Sequence, residues 1–223
     1  MATDPFYTEP PQEESEELQT PDLDEAADEP AEAPAMERPV GAHPMLLMLK
    51  VMANPNSGWR TLSSAAPRPE DVAGGCAYPL MALAAVCCFM QFVYDPHAVL
   101  SEVLMNAVIT FMSYFIGYYV VELVCKALPR SVRGRVCSPF GRCFMLIAFG
   151  TLALFAAVRE CLEMWDPVLV FLPLYTAYLI FRGMKVLRVP EDRRVVTGIT
   201  LSLLALTSPI VIYWLLELAL PIT

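Results

Sequence analysis

Long runs of uncharged, mostly apolar residues divide most of this 223-residue chain into candidate membrane spans. Three runs are long enough to cross a bilayer: residues 72–94 (23 residues), 103–121 (19 residues) and 195–216 (22 residues). A helix rises 1.5 Å per residue, so about 20 apolar residues cross a hydrocarbon layer roughly 30 Å thick. Each run therefore predicts a transmembrane helix.

Two shorter uncharged runs lie between them, at residues 143–158 and 167–181. Arginines flank these runs, and their long side chains can reach the interface while the stems stay in the apolar layer. We therefore favour two further spans over the alternative of a re-entrant hairpin. The predicted fold is an all-α membrane protein in which residues 72–223 form a domain with five transmembrane helices, at about 72–94, 103–125, 143–162, 167–182 and 195–217.

A short apolar segment precedes the first predicted span. Residues 45–53 are too few to cross a bilayer, and they predict an interfacial helix. The polar stretch 54–58 contains Pro55 and Gly58 and is typical of a turn. Residues 45–71 are therefore interpreted as an interfacial helix and a linker.

The first 44 residues differ in composition from the rest of the chain. They hold 13 of the 24 acidic residues and a single base, Arg38, so the net charge of −9 divides into −12 for residues 1–44 and +3 for the remainder. Prolines are frequent and apolar residues are few, which is typical of a segment that cannot form a core. We predict a disordered acidic Pro/Glu-rich tail that serves either as a solvated spacer or as a docking peptide.

The basic residues predict the orientation in the membrane. Residues 126–142 carry five bases and no acid, and residues 182–194 carry five bases and two acids. Basic loops stay cytoplasmic, so the N-terminus is predicted to be cytoplasmic and the C-terminus outside. Trp59, Trp165 and Trp214 are then expected to be interfacial anchors, since tryptophan favours the headgroup level.

Glu122 is the candidate intramembrane polar site, because strongly apolar sequence surrounds it in the second span. An acid in such a place suggests a proton or cation relay. Lys126, however, follows four residues later on the same helical face, which is the favoured spacing for a local ion pair. Both interpretations stay open here.

The sequence predicts neither a metal site nor a cofactor. Two of its seven cysteines, Cys137 and Cys143, are six residues apart in a basic loop and lack the spacing of a zinc site, and the two histidines lie far from them. Phosphate-binding, metalloprotease and hydrolase motifs are absent. We therefore expect no enzymatic activity and no nucleic-acid partner.

Residues 48–59 form an apolar helix followed by a Pro-containing turn and Trp59, just before the first span. Together with Tyr78-Pro79-Leu80 and Gly117-Tyr118-Tyr119, this order of parts resembles the Yip-domain family (Ypt-interacting proteins), especially its bacterial branch. The resemblance covers residues 45–220. It implies a polytopic membrane protein, and the eukaryotic members act as non-enzymatic adaptors in vesicle trafficking. Their Asp-Leu-Tyr-Gly-Pro signature is absent here, which does not favour binding of Rab GTPases.

Two functions are compatible with this sequence. The favoured one is a membrane adaptor or scaffold embedded in the lipid bilayer, whose residues 1–44 recruit a cytoplasmic protein. The alternative is a small transporter or channel that uses Glu122. The resemblance favours a bacterial inner membrane, with a Golgi or endoplasmic reticulum membrane as the alternative.

Overall fold

The computed structural model describes residues 43–162, 169 and 171–220. Nearly all of the predicted tail and Trp165 lie outside the described residues. Within them the chain is helical and contains no strand. They belong to one compact unit, Arg38–Thr223.

Two short helices, α1 (Pro44–Ala53) and α2 (Pro55–Ala65), open the bundle. Each begins at a proline, whose missing N–H costs nothing in the first turn. Asn54 caps α2 by accepting a hydrogen bond from the Ser57 backbone N–H at 3.3 Å. One face of α1 is buried in the core, whereas Leu46 on the other face is 62% exposed. Only the exposed face of α1 agrees with the expected interfacial helix, because the opposite face packs in the protein core.

The first long helix, α3, is continuous from Pro69 to Tyr94. It contains a π-helical turn at Ala73–Ala77 and a 3₁₀ turn at Cys88–Met90. Pro79 follows the π turn, and it cannot donate a backbone hydrogen bond to the carbonyl one turn earlier. The local widening of the helix accommodates this missing bond.

The remaining helices are α4 (Leu100–Lys126), α5 (Arg130–Val136), α6 (Pro139–Cys161), α7 (Leu172–Gly183) and α8 (Glu191–Ala219). Helices α3, α4, α6 and α8 are long and apolar enough to cross a membrane. They fall on four of the five predicted spans. The remaining predicted span, 167–182, contains α7, which has 12 residues. Of the residues just before α7, 163–171, the structure describes only 169 and 171.

Helix α6 lies at the centre of the bundle. In its most apolar stretch 78% of the residues are buried, against 33–39% in α3, α4 and α8. It packs against α3, α7, α4 and α5. The other three long helices present many large apolar side chains outward, as expected of surfaces that face lipid rather than water.

Candidate functional site

Glu122 lies in a charge cluster that joins α4 to α6. Its carboxylate is 3.8 Å from the Lys126 Nζ atom, four residues later on the same helix. It is also 3.1 Å from an Arg142 guanidinium nitrogen in the first turns of α6. The Glu122 side chain is 19% exposed, whereas Lys126 and Arg142 are 57% and 44% exposed. The sequence had not linked Arg142 to Glu122, because linear spacing does not reveal which helix ends meet.

The cluster balances charges at two helix ends. Lys126 lies at the C-terminal end of α4, where the helix dipole favours a cation. Arg142 lies near the N-terminus of α6, where the dipole disfavours a cation, and Glu122 compensates for it. Glu122 therefore already has two basic partners, and this arrangement explains its presence without a transported ion.

A double-mutant cycle measures this coupling. We expect Glu122→Gln and Arg142→Gln each to lower the stability of the purified protein, since each leaves the other charge without its closest partner. The double variant should lose less than the sum, with a coupling energy of about 0.5–3 kcal/mol. Lys126→Gln is the matched control and should couple more weakly, because its nitrogen is farther away and more exposed. Additive losses for Glu122 and Arg142 would contradict the ion-pair interpretation.

The two basic loops of the sequence meet next to this cluster. The Arg193 guanidinium donates to the Ser131 hydroxyl at 3.2 Å. The Arg135 guanidinium donates to the Arg188 carbonyl. Arg188 has a φ of 54°, a left-handed conformation that is uncommon for arginine. We call this end of the bundle, with its two loops and the Glu122 cluster, the basic end.

The three tryptophans have different positions. Trp59 is only 1% exposed, and its ring centroid lies 4.5 Å from that of Phe144. Its indole N–H donates to the Leu179 carbonyl at 3.1 Å. A ring enclosed by protein cannot anchor at lipid headgroups, so that expectation is wrong for Trp59. Trp214 is 70% exposed, as an anchor has to be, and Trp165 lies outside the described residues.

A cavity of about 360 Å³ lies between α4, α6 and α8 at the other end of the bundle, which we call the cavity end. Asn106 lines it 16 residues before Glu122, which corresponds to about 24 Å along α4. The Tyr213 hydroxyl donates to the Asn106 side-chain oxygen at 2.9 Å. The lining residues are Asn106, Thr110, Ser113, Tyr114, Ala156, Arg159, Glu160, Pro209, Ile210, Tyr213 and Trp214.

The polar lining of this cavity follows a helical stripe that the sequence analysis missed. Asn106, Thr110 and Ser113 are spaced by four and three residues, so they share one face of α4. Gly117 continues the stripe, and a side chain there would come within 3.2 Å of the Pro209 nitrogen on α8. The cavity can hold water or a small polar molecule. It contains one carboxylate, Glu160, and no group of three His, Cys, Asp or Glu that could hold a metal occurs in the described part of the chain.

Comparison with known proteins gives one match. The family model for the Yip1 domain matches residues 49–214, which include α2 to α7 entirely, the second half of α1 and most of α8. No curated protein and no solved structure matches the chain. The match begins after the acidic N-terminal segment and ends at Trp214.

Proposed function

The chain belongs to the Yip1 domain family of multi-pass membrane proteins, and we propose that it is a non-enzymatic membrane adaptor whose residues 1–44 recruit a cytoplasmic protein. The proposal rests on the position of the family match, which separates the helical bundle from the N-terminal segment. The match covers the helical bundle, whereas the segment with a net charge of −12 lies before it. A bundle that the family has in common would hold this segment at the bilayer, and the segment would select the partner.

The alternative, a small transporter that uses Glu122, has less support. A proton carrier has to exchange its proton with both sides of the membrane, but the Glu122 carboxylate lies at the basic end between Arg142 and Lys126. The nearest cavity-lining residue on α4, Tyr114, is eight residues before Glu122, about 12 Å along the helix, and Glu122 is not among the lining residues.

Five crossings, with the N-terminus cytoplasmic and the C-terminus outside, belong to this proposal. The Cys161 thiol at the end of α6 lies 3.5 Å from the Cys87 thiol, near the cavity end of α3. Arg188, which follows α7, contacts Arg135 at the basic end. The chain between Cys161 and Arg188 therefore returns along the bundle, which supports a fourth crossing that includes α7. The meeting of both basic loops at one end supports a cytoplasmic basic end.

We expect the acidic segment to be required for partner capture. The full chain and a variant lacking residues 1–44 would be solubilised gently from native membranes, captured by a C-terminal tag and compared by mass spectrometry. The matched control keeps the length and prolines of the segment but replaces its 13 acidic residues by their amides. If charge selects the partner, both altered chains should lose it, by at least tenfold.

Three outcomes separate the possibilities. Loss in both altered chains supports an adaptor that acts through acidic charge. Loss only on deletion assigns recruitment to the apolar positions of the segment. Equal capture by all three chains would contradict recruitment through residues 1–44. The compartment, a bacterial inner membrane or alternatively a Golgi or endoplasmic reticulum membrane, would follow from the identity of the captured protein.

A further inference from the structure

Cys87 and Cys161 bring two thiols together at the cavity end of the bundle. Cys87 ends the α-helical part of α3 before its 3₁₀ turn, and Cys161 is the last residue of α6. Their Sγ atoms are 3.5 Å apart although the residues are 74 positions apart in the chain. The Tyr94 hydroxyl also donates to the Cys161 carbonyl at 2.5 Å, which fixes the end of α6 against the end of α3.

The other five cysteines have different surroundings. Cys76, Cys88, Cys125 and Cys143 are buried, whereas Cys87, Cys137 and Cys161 are partly exposed. Cys137 lies in the basic loop, at the opposite end of the bundle from Cys87 and Cys161. Cys88 is adjacent to Cys87 in sequence but lies on another face of the helix, where its thiol contacts Thr110 at 3.6 Å. Cys88 is therefore not part of the thiol pair formed by Cys87 and Cys161.

The position of the pair gives water-borne reagents access to it. Cys161 directly follows Arg159 and Glu160, which end the uncharged run of the third span. Charged residues favour the aqueous boundary, so Cys161 lies where α6 leaves the apolar layer. Cys87 lies at the same level because its thiol touches that of Cys161.

We propose that Cys87 and Cys161 are a disulfide-forming pair, oxidised by a low-molecular-weight or protein disulfide of the outer compartment. One thiolate attacks a sulfur of the oxidant and releases one thiol, which leaves a mixed disulfide. The second cysteine thiolate then attacks the first cysteine sulfur and releases the second thiol. In total, two cysteine thiols lose two protons and two electrons, and one disulfide becomes two thiols.

The bridge requires little rearrangement. The two sulfurs have to approach by about 1.5 Å to reach bonding distance, which side-chain rotation can supply. The bond would tie the end of α3 to the end of α6, and α6 provides Ala156, Arg159 and Glu160 to the cavity wall. The disulfide would therefore fix one wall of the polar cavity. Its formation in the cell rests on the proposed orientation, because disulfides persist in oxidising compartments and are rare in the cytosol.

The test uses the full chain in detergent, exposed to oxidised glutathione, then denatured and labelled with a maleimide that adds mass to each free thiol. The chain has seven cysteines, so bridging leaves 7 − 2 = 5 labelled thiols, and peptide mapping should find Cys87 joined to Cys161. The Cys88→Ser control has six cysteines, so oxidation should lower its number of labelled thiols from six to four. Cys87→Ser and Cys161→Ser should each form no intramolecular bridge.

Retention of all seven thiols, or a bridge that persists without Cys87, would overturn the proposal. A second arm traps thiols in native membranes before solubilisation. A bridge found there supports both the pair and the outward orientation of the cavity end. A pair that bridges in detergent but is fully reduced in native membranes supports the pair and contradicts the proposed orientation, so the two failures are distinguishable.

Discussion

Replacement of Trp59 by alanine should destabilise the bundle strongly. Its ring is 1% exposed and packs against Phe144, and its N–H bonds the Leu179 carbonyl. The substitution removes a large buried ring and leaves a cavity where α2, α6 and α7 meet, for which core tryptophans typically cost about 3–5 kcal/mol. For a chain of this size we expect the melting temperature to fall by on the order of 10 °C.

A thiol-reactive fluorogenic dye can follow this unfolding without relying on tryptophan fluorescence. Four cysteines are buried, so the dye reacts with them as the bundle opens. Trp214→Ala is the matched control, because that ring is 70% exposed and its loss should change stability by less than about 0.5 kcal/mol. Equal shifts for the two variants would mean that Trp59 does not belong to the core of the protein in solution.

The contrast between Trp59 and Trp214 also shows what the sequence could predict. Trp59 lies between two apolar segments and Trp214 lies near the end of another, and composition alone predicts the same anchoring role for them. Their difference depends on which surface another helix covers, and that is a tertiary property. Helices α3, α4 and α8 were predictable because a bilayer requires a minimum length of uncharged sequence, whereas α6 was predicted from a 16-residue run that flanking arginines extend. Helix α7 was harder, because its 12 residues fall short of that length.

Among the polar sites, too, contacts within one helix could be predicted from the sequence, whereas contacts between helices could not. The Glu122–Lys126 pair was predictable from its four-residue spacing, whereas Arg142 joined it only through the packing of α6 on α4. Asn106, Thr110 and Ser113 have the spacing of one helical face, so this polar stripe was visible in the sequence. It was missed because only charged residues were considered as intramembrane polar sites, and these three side chains are uncharged. The Cys87–Cys161 pair could not have been found by spacing, since 74 residues separate the two thiols.

Gly58→Ala should separate α1 from α2 and destabilise the protein. A β-carbon at this position would lie 2.6 Å from the Val51 nitrogen and 2.8 Å from the Lys50 carbonyl oxygen, and these are backbone atoms that cannot rotate away. Crowding of this kind typically costs about 1–3 kcal/mol or more. Intrinsic propensity acts in the opposite direction, since alanine favours a helix interior over glycine by about 1 kcal/mol.

Gly134→Ala in α5 is the matched control for Gly58→Ala, because a β-carbon there would have no atom within 4 Å. This control should be neutral or slightly stabilising in the same dye assay, as propensity alone predicts. A net loss at Gly58 together with no loss at Gly134 would establish that the close crossing of α1 and α2 requires glycine. A stabilised Gly58→Ala protein would instead mean that propensity outweighs contact, and that the two helices separate at little cost. Because Gly58 lies within the residues matched by the Yip1 domain, the first result would assign this stabilising helix crossing to the matched region and not to the acidic segment that precedes it.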